Sequence, residues 1–430
     1  MKAKEVRNRL FNTNHKKERA ILVGVAGINA NKWEVNDFLD ELALLADTAG
    51  AEVVHRIIQD RSSIDSAYFI GKGKAEQIAR LADTLQADLI IFDDDLSPAQ
   101  ARNLEKLFDK KVVDRSGLIL DIFARRAKSR EARTQVEVAQ LRYLLPRLTR
   151  QWTHLSRQVG GIGTRGPGEK QLEVDRRLIR KRITYLVNEL KKIEKQREMR
   201  RKHRQGIYKA ALVGYTNVGK STLMNALTSS DVYIENRLFA TLDATVRGLK
   251  MSDHDMVLLI DTVGFIRKLP HHLVASFKST LEEIREADLL LHVVDISQAH
   301  FEEQIHTVNN VLQEMQLNSR QMLYVFNKID INGNSSLIAA MREKYAPAVF
   351  VSAGRGMFLD TLKLSIQKML HEREQVLQLE INAGDGEAIA QVYALGEVLE
   401  KRYDESRIIF RVRAPEERAA KLQALIKNHH

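Results

Sequence analysis

The chain has 430 residues, of which 44% are hydrophobic and none is cysteine, and its formal net charge is +11. This length allows two to four domains, and the absence of cysteine excludes a disulfide framework, a thiolate metal site and a cysteine nucleophile. No apolar run approaches the roughly 18 residues of a membrane span, and the polar start lacks the apolar core of a signal peptide, so we expect a cytoplasmic protein without a membrane span.

The amino-terminal part of the chain alternates strand-like and helix-like segments. After a basic arm, residues 1 to 19, four short apolar runs separated by helical stretches occupy residues 20 to 115. This alternation predicts an α/β domain on a small parallel sheet. The GKGK stretch, residues 71 to 74, is a weak signal for a second nucleotide site. We interpret it as the start of a helix and do not expect ATP to bind there.

Residues 116 to 205 carry most of the positive charge. They contain 24 Lys and Arg against 9 Asp and Glu, an excess of 15, so the rest of the chain has a net charge of −4. Charge concentrated in one element is typical of a surface that binds a polyanion. A solvated helical face is the alternative, but the imbalance is local and does not alternate in sign, which favours contact with RNA or the ribosome.

The same segment predicts a helical hairpin arm with a Gly-rich tip, GGIGTRGPGE. Pro146 is expected to kink or end part of the first limb. The tip is either a flexible turn or a loop that faces RNA, and its cations favour the second interpretation. The candidate RNA-contacting residues are Arg157, Arg165 and Lys170. Apolar residues of the second limb follow the 4-3-4-3 spacing of an antiparallel helical seam: Ile179, Ile183, Leu186, Leu190 and Ile193.

The last two regions complete an α/β chain of four main parts. Residues 206 to 370 alternate strands and helices again, which predicts a central, doubly wound P-loop domain. Residues 371 to 430 predict a small α+β domain of βαββα type, with a helix over EAIAQVYALGEVLE.

The stretch GYTNVGKS, residues 214 to 221, is the clearest chemical motif. It follows a strand-like run and opens a helix-like run, which is the context of a phosphate-binding loop. Its glycines let backbone N–H groups face the phosphates. Lys220 is expected to bridge the β- and γ-phosphates and Ser221 to bind Mg²⁺. This motif alone leaves ATP and GTP open.

Two further motifs complete the nucleotide site. In DTVGF, residues 261 to 265, Asp261 is expected to hold the metal through water and the Gly264 amide to meet the γ-phosphate. In LFATLDATVRG, Thr241 or Thr245 is expected to bind Mg²⁺ only in the triphosphate state, and we favour Thr241. Lys220, Thr241 and Gly264 are thus the catalytic candidates.

The NKID motif, residues 327 to 330, favours guanine. A carboxylate at Asp330 accepts from guanine N1–H and the exocyclic amine, while Asn327 bonds the N7 edge and tethers the phosphate loop. Lys328 is expected to lie over the base, and VSAG supplies the other wall. The predicted nucleotide-binding residues are Gly214, Tyr215, Thr216, Asn217, Val218, Gly219, Lys220, Ser221, Thr222, Phe239, Ala240, Thr241, Leu242, Asp243, Asp261, Thr262, Val263, Gly264, Asn327, Lys328, Ile329, Asp330, Ser352, Ala353 and Gly354.

Taken together, LFATLD, DTVGFIRKLP and GYTNVGKSTLMN resemble the HflX family of translational GTPases, relatives of the Obg group. The amino-terminal half carries further similar stretches: YFIGKGKAEQI, DRSGLILDIFARRAKSREARTQVEVAQLRYLLPRL and GGIGTRGPGEKQLEVDRR. The resemblance covers residues 20 to about 370. It implies binding to the large ribosomal subunit and its RNA and, in some bacteria, separation of stalled ribosomes under stress.

Alternatives to this function remain open. One is an RNA-maturation or ribosome-assembly GTPase, and another is an RNA-docked occlusion factor for which GTP is only a structural ligand. Off the ribosome we expect a monomer.

Two details bear on hydrolysis. Phe265 stands where many GTP hydrolases carry glutamine, and it cannot orient water, so we expect slow hydrolysis alone and stimulation by ribosomes. It can also simply pack under the switch. No arginine of the motifs supplies a clear charge-stabilising group, although Arg247 and Arg267 lie nearby in sequence. Asn217 is either a potassium ligand or a stabiliser of its loop.

Overall fold

The computed structural model describes fourteen ranges of the chain: 17–27, 32–61, 63–148, 171–202, 207–228, 238–239, 241–251, 256–268, 278–317, 320–331, 334–371, 374–404, 406–415 and 419–423. Residues 1–16, the Gly-rich tip with Arg157, Arg165 and Lys170, and Ala240 lie outside them. No helix within these ranges is long and apolar enough to cross a membrane.

The chain divides into two compact units. The first contains Met1–Ile193 and two short later segments, Asn236–Leu242 and Lys268–Phe277. The second contains Glu194–Glu235, Asp243–Arg267 and Lys278–His430.

The first unit is built on a four-stranded parallel sheet in the order β2-β1-β3-β4. Its strands are β1 (Glu18–Ala26), β2 (Ala51–Asp60), β3 (Leu89–Phe92) and β4 (Lys111–Asp114). Three helices connect them: α1 (Lys32–Thr48), α2 (Lys72–Thr84) and α3 (Pro98–Phe108). The parallel sheet predicted for this part of the chain is confirmed.

Local sequence explains where these helices begin. Ser97 accepts a hydrogen bond from the Gln100 amide, and the Gln100 side chain accepts one from the Ser97 amide, so a capping box starts α3 with Pro98 in its first turn. The GKGK stretch contains the start of α2. It has no side-chain cap, because the N-cap residue is Gly71.

Three more helices follow the sheet: α4 (Arg115–Arg126), α5 (Arg130–Leu144) and α6 (Gln171–Lys202). The first unit contains α4, α5 and the part of α6 up to Ile193. Pro146 lies in a short 3-10 turn that follows α5, in agreement with a helix end there. α5 and α6 run antiparallel, since Arg130 pairs with Glu189 and Arg182 with Glu137. Leu186, in the middle of the predicted seam, is buried.

The second unit contains a six-stranded sheet in the order β10-β9-β8-β5-β7-β6, in which only β6 is antiparallel to its neighbour. Its strands are β5 (Tyr208–Gly214), β6 (Thr245–Lys250), β7 (Met256–Asp261), β8 (Leu289–Asp295), β9 (Gln321–Asn327) and β10 (Ala348–Phe350). Its helices are α7 (Lys220–Thr228), α8 (Lys278–Arg285), α9 (Phe301–Glu314), α10 (Ser335–Lys344) and α11 (Leu359–His371).

The strand order of this sheet reverses beside β5. The chain first builds β7 and β6 on one side of β5 and then β8, β9 and β10 on the other side. In open α/β sheets, ligands bind outside the carboxyl ends of the strands at such a reversal. The fold class predicted for this region, a central α/β P-loop domain, is confirmed, and its expected site is the end of β5.

The carboxy-terminal part is a three-stranded antiparallel sheet in the order β11-β13-β12. Its elements are β11 (Glu374–Asn382), α12 (Gly386–Leu395), β12 (Glu397–Asp404) and β13 (Arg407–Pro415). The helix predicted over EAIAQVYALGEVLE is longer than the observed one. The observed helix, α12, ends at Leu395, and the last residues of the predicted stretch form the start of β12. The extended Gly396 lets the backbone approach β13 so closely that a Cβ there would lie 2.2 Å from Val412 Cγ1.

Candidate nucleotide-binding site

The phosphate loop joins the end of β5 to the start of α7, and two of its glycines are required by geometry. Gly214 has φ +151°, and an added Cβ would lie 2.3 Å from the Val293 carbonyl oxygen. Gly219 has φ +96°, and its Cβ would lie 2.4 Å from Asn327 Nδ2. Only glycine accepts both the dihedral angles and the contacts. The backbone of the loop therefore lies directly against two neighbouring strands of the sheet.

Lys220 opens α7 with its side chain buried under this loop. Its Nζ donates to the carbonyl oxygens of Gly214, at 3.1 Å, and Tyr215, at 2.8 Å. Burial lowers the pKa of Lys220 to about 8, while the nearby Asp261 carboxylate acts in the opposite direction. The two carbonyl oxygens and the Asp261 carboxylate thus hold the Lys220 ammonium at the position where the loop would receive phosphate.

Ser221 and Asp261 bring two hard oxygen donors together. Ser221 Oγ donates to Asp261 Oδ2 at 2.6 Å, and Asp261 is buried at the end of β7. Among the described residues, no group of three or more His, Cys, Asp or Glu side chains is arranged to hold a metal ion. A hydroxyl and one carboxylate suit an ion such as Mg²⁺, which takes its remaining ligands from phosphates and water.

The DTVGF segment is fixed to the phosphate loop by its backbone. The Phe265 amide donates to the Gly214 carbonyl at 3.1 Å, and the Thr216 amide donates to the Phe265 carbonyl at 2.7 Å. A Cβ on Gly264 would lie 2.7 Å from Thr216 Cα and 3.0 Å from Lys220 Nζ. The Phe265 side chain is buried. This segment thus presents a bare glycine backbone to Lys220 and an apolar side chain to the interior.

Residues of the NKID and VSAG motifs are hydrogen-bonded to the phosphate loop and to each other. Asn327 Nδ2 donates to the Val218 carbonyl at 2.9 Å, and the Ala353 amide donates to Asn327 Oδ1 at 2.9 Å. Lys328 Nζ lies 2.7 Å from Asp295 Oδ2 and donates to the Asn217 carbonyl at 3.1 Å. Asn327, Lys328 and Ala353 thereby set the position of the NKID segment relative to the loop.

Asp330 is held in its charged form. A hydrogen bond from the Ser352 side chain lowers the pKa of Asp330 most, and Arg355, whose Nε lies 3.1 Å from Asp330 Oδ2, lowers it further. An ionised carboxylate accepts hydrogen bonds only, which matches the two donors on the guanine edge. Arg355 was not predicted from sequence, because it follows the VSAG motif and its contact depends on the loop after β10.

The structure brings most of the predicted site residues together in the second unit: Gly214, Tyr215, Thr216, Asn217, Val218, Gly219, Lys220, Ser221, Thr222, Asp261, Thr262, Val263, Gly264, Asn327, Lys328, Ile329, Asp330, Ser352, Ala353 and Gly354. Asp243 and Thr245 also belong to this unit, and Thr245 is exposed. Phe239, Thr241 and Leu242 belong to the first unit.

Sequence reasoning missed a histidine under the phosphate loop. His292 lies on β8, is 1% exposed and packs 5.2 Å from the Tyr324 ring, centroid to centroid. Burial, assisted by the positive charge of Lys220, lowers the pKa of His292 to about 3. His292 lies in an apolar strand and belongs to no recognisable motif. Only its contacts with neighbouring strands in the folded protein identify it as a buried histidine of the site.

Relatives of known sequence decide the family. "GTPase HflX" of Flavobacterium psychrophilum is 53% identical over 73% of this chain and 76% of the relative. "GTPase HflX" of Escherichia coli is 43% identical over 93% of this chain and 94% of the relative. This chain belongs to the HflX family of GTPases.

HflX membership agrees with the family models along the chain. A model described as "GTP-binding GTPase N-terminal" matches residues 36–124, and "GTP-binding GTPase Middle Region" matches residues 126–204. A third model, "50S ribosome-binding GTPase", matches residues 209–328. A solved GTP-binding protein of the archaeon Sulfolobus solfataricus in complex with GDP is 25% identical, covering 83% of this chain and 99% of that chain, with a TM-score of 0.44.

The resemblance to HflX GTPases seen in the motifs is confirmed, and the chain is a GTP-hydrolysing enzyme. The second unit supplies the parts such an enzyme needs. Lys220 lies under the phosphate loop, Ser221 and Asp261 form the oxygen pair, and Asp330 is a carboxylate whose pKa is lowered by its neighbours.

Proposed function

We propose that this HflX GTPase binds the large ribosomal subunit in its GTP state and separates stalled ribosomes under stress. The observation that carries the proposal is a basic helical face in the same chain as a guanine-nucleotide site. The description of the matched model, a 50S ribosome-binding GTPase, supports the choice of partner. Because ribosomes are the partner, the protein would act in the cytoplasm.

The basic face lies on α6. Arg180, Lys181, Lys191 and Lys195 are exposed, and no described residue lies within ion-pair distance of them. At 100° per residue they fall within a wedge of about 100°, on the side of α6 away from the predicted apolar seam. From Arg180 to Lys195 the helix rises by about 22 Å. Unpaired cations in a line of this length suit the phosphate backbone of RNA.

The tip of the arm would extend this face. Arg157, Arg165 and Lys170 precede α6 in a Gly-rich stretch and add three cations. They remain our candidates for contact with ribosomal RNA, since single-stranded and looped RNA is recognised by cations and by stacking on exposed side chains. Tyr185 is 56% exposed, and the centre of its ring lies 5.6 Å from the Arg182 guanidinium carbon. This ring offers an exposed face for such stacking.

At the nucleotide, we propose that Ser221 and Asp261 hold Mg²⁺, Asp261 through water, and that Thr241 joins them in the triphosphate state. Bound Mg²⁺ neutralises charge on the β- and γ-phosphates. Lys220 supplies a fixed positive charge to the same oxygens, and the Gly264 amide donates to the γ-phosphate. Asp330 selects guanine.

The position after Gly264 explains why the ribosome would be needed for fast turnover. Phe265 has no hydrogen-bonding side-chain atom and is 3% exposed, so it cannot orient the attacking water. The group that orients the attacking water would then come from the ribosome. Asn217, which is exposed with φ +63°, is our candidate potassium ligand, and equal hydrolysis in potassium and sodium would contradict that role.

Sedimentation of ribosomes tests the proposal. Intact ribosomes mixed with the protein and a nonhydrolysable GTP analogue should shift toward separate subunits, with the protein on the large-subunit peak. GDP should give little shift. Binding to intact ribosomes without any separation would instead favour an occlusion factor, and binding to free subunits alone would favour an assembly GTPase.

A further inference from the structure

The loop that follows β10 brings an arginine to the carboxylate of the NKID motif. Ser352 and Met357 exchange two backbone hydrogen bonds, of 3.2 and 3.0 Å, so residues 353 to 356 form a closed loop between them. Gly356 has φ +69°, a dihedral angle that favours glycine and completes the turn. Arg355 therefore lies on a short loop whose two ends are fixed to each other.

Arg355 contacts Asp330 by two routes. Its Nε lies 3.1 Å from Asp330 Oδ2. Its backbone amide donates to Ser352 Oγ at 3.3 Å, and the Ser352 hydroxyl donates its single proton to the Asp330 carboxylate. Arg355, Ser352 and Asp330 thus form a closed ring of hydrogen bonds, in which the arginine orients the hydroxyl and also contacts the carboxylate directly.

This ring leaves room on the carboxylate for a base. The Asp330 side chain is 18% exposed, whereas the Arg355 side chain is 70% exposed, so the carboxylate is sheltered while most of the guanidinium faces solvent. An ionised carboxylate has about four acceptor positions. Ser352 and Arg355 occupy two of them, and the others remain for guanine N1–H and the exocyclic amine. Arg355 and guanine therefore share the carboxylate without competing for it.

We propose that Arg355 is a positioning residue for guanine, which holds Asp330 in the orientation that engages both donors of the base. This inference rests on the proposed role of Asp330 in guanine selection. Without the Arg355 side chain, the carboxylate loses one fixed contact and turns more freely, so it meets one donor more easily than both together. Since hypoxanthine lacks the exocyclic amine, Arg355 contributes to the discrimination of GTP from inosine triphosphate.

The test is the ratio of affinities for GTP and inosine triphosphate, measured on the full chain. Arg355→Ala should weaken GTP binding about two- to fivefold, the usual size of an exposed ion pair. Inosine triphosphate should lose less, so the ratio falls, and GDP should weaken by the same factor as GTP because both carry guanine. Arg355→Lys keeps the charge but not the planar Nε donor and should restore only part of the ratio.

Arg402→Ala is the matched control. Arg402 is 72% exposed and pairs with Glu400 in the carboxy-terminal sheet, so its removal costs a similar surface ion pair away from the nucleotide. The ratio of GTP to inosine triphosphate affinity should be unchanged in this variant.

A double-mutant cycle shows whether Arg355 acts through the carboxylate. In an Asp330→Asn background, Arg355→Ala should change GTP affinity little further, because both substitutions affect one group. Equal losses for GTP and inosine triphosphate in Arg355→Ala, or an unchanged or higher GTP affinity, would overturn the proposal. Failure of the proposed role of Asp330 has a different result, since Asp330→Asn alone would then leave GTP affinity unchanged.

Discussion

We expect Asp330 to be the residue that distinguishes guanine from other bases. Asp330→Asn should weaken GTP binding by about 10- to 100-fold, because it removes a charge-assisted pair of hydrogen bonds. The same change should favour xanthosine triphosphate, whose exocyclic oxygen needs a donor. Binding of fluorescent nucleotides measures both effects. Asp360→Asn, an exposed carboxylate of α11, is the control, and unchanged GTP affinity in Asp330→Asn would contradict the assignment.

Gly264 permits a close approach between the DTVGF segment and the phosphate loop. In Gly264→Ala the new methyl group meets Thr216 backbone at 2.7 Å, so the segment must move away from Lys220. Single-turnover GTP cleavage should fall at least about tenfold, as displacement of one transition-state donor typically costs that much or more. GDP affinity should change little. Gly386→Ala, which meets nothing within 4 Å and lies at the start of α12, is the matched control and should cleave GTP at the normal rate.

His292 makes the fold sensitive to acid. Its pKa is lowered to about 3 by burial and by Lys220, whereas the unfolded chain binds this proton near pH 6.5. Between these values the unfolded state holds more protons, so stability falls as pH falls, by at most about 1.4 kcal/mol per pH unit. His292→Leu should flatten this loss in urea denaturation between pH 6.5 and 4. Replacement of the exposed His306 should not, and an unchanged slope in His292→Leu would refute the explanation.

At the scale of elements, the helix α6 has an apolar face and a basic face with different roles. Leu186 of the seam is buried and two ion pairs join α6 to α5, while Arg180, Lys181, Lys191 and Lys195 line the exposed side. Glutamine has nearly the same helix propensity as lysine and arginine, so replacing these four cations with glutamine should leave the helix and its apolar packing unchanged. Helical content by circular dichroism should therefore be unchanged.

We predict that this fourfold variant binds GTP normally but binds ribosomes weakly. The slope of log affinity against log salt should become shallower by roughly one for each phosphate that the helix no longer neutralises. Sedimentation at several salt concentrations measures it. As the matched control, Arg402, Arg407, Arg411 and Arg413 of the carboxy-terminal sheet are exchanged together. An equal decrease in both variants would mean that total charge, not the arm, determines binding.

For the whole molecule, the expected behaviour is slow hydrolysis alone and strong stimulation by the ribosome. Supply of the missing group in trans accelerates some GTPases by about 10⁵-fold, roughly 7 kcal/mol of barrier. Purified large subunits should raise single-turnover GTP cleavage by orders of magnitude, and the fourfold α6 variant should lose most of this gain. Equal rates with and without subunits would remove the ribosome from catalysis.

Phe265→Gln serves as a companion measurement. Because Phe265 is buried and its backbone is bonded to Gly214 and Thr216, a glutamine there does not gain the orientation needed to hold water. Hydrolysis off the ribosome should stay slow. Fast turnover by this variant alone would show that one missing side chain is the whole barrier.

Local sequence patterns were sufficient to predict those parts of the protein whose chemistry is confined to short segments. The phosphate loop, DTVGF and NKID are short runs at strand ends, so residue type and spacing predicted both the α/β fold and the nucleotide. The 4-3-4-3 spacing predicted the antiparallel helices in the same way. The predicted βαββα order included a strand at β12, but the predicted helix ran past Gly396, because the helix-like residues before Gly396 concealed where the helix stops.

Contacts between residues far apart in the chain became visible only in the folded protein. Lys268 and Asp93 are separated by 175 positions, and neither carries a motif that points to the other. The burial of His292 next to Lys220 depends on the alignment of β5 with β8. Such contacts arise when the sheets and helices pack, and the pairing of distant side chains is not encoded in any local pattern.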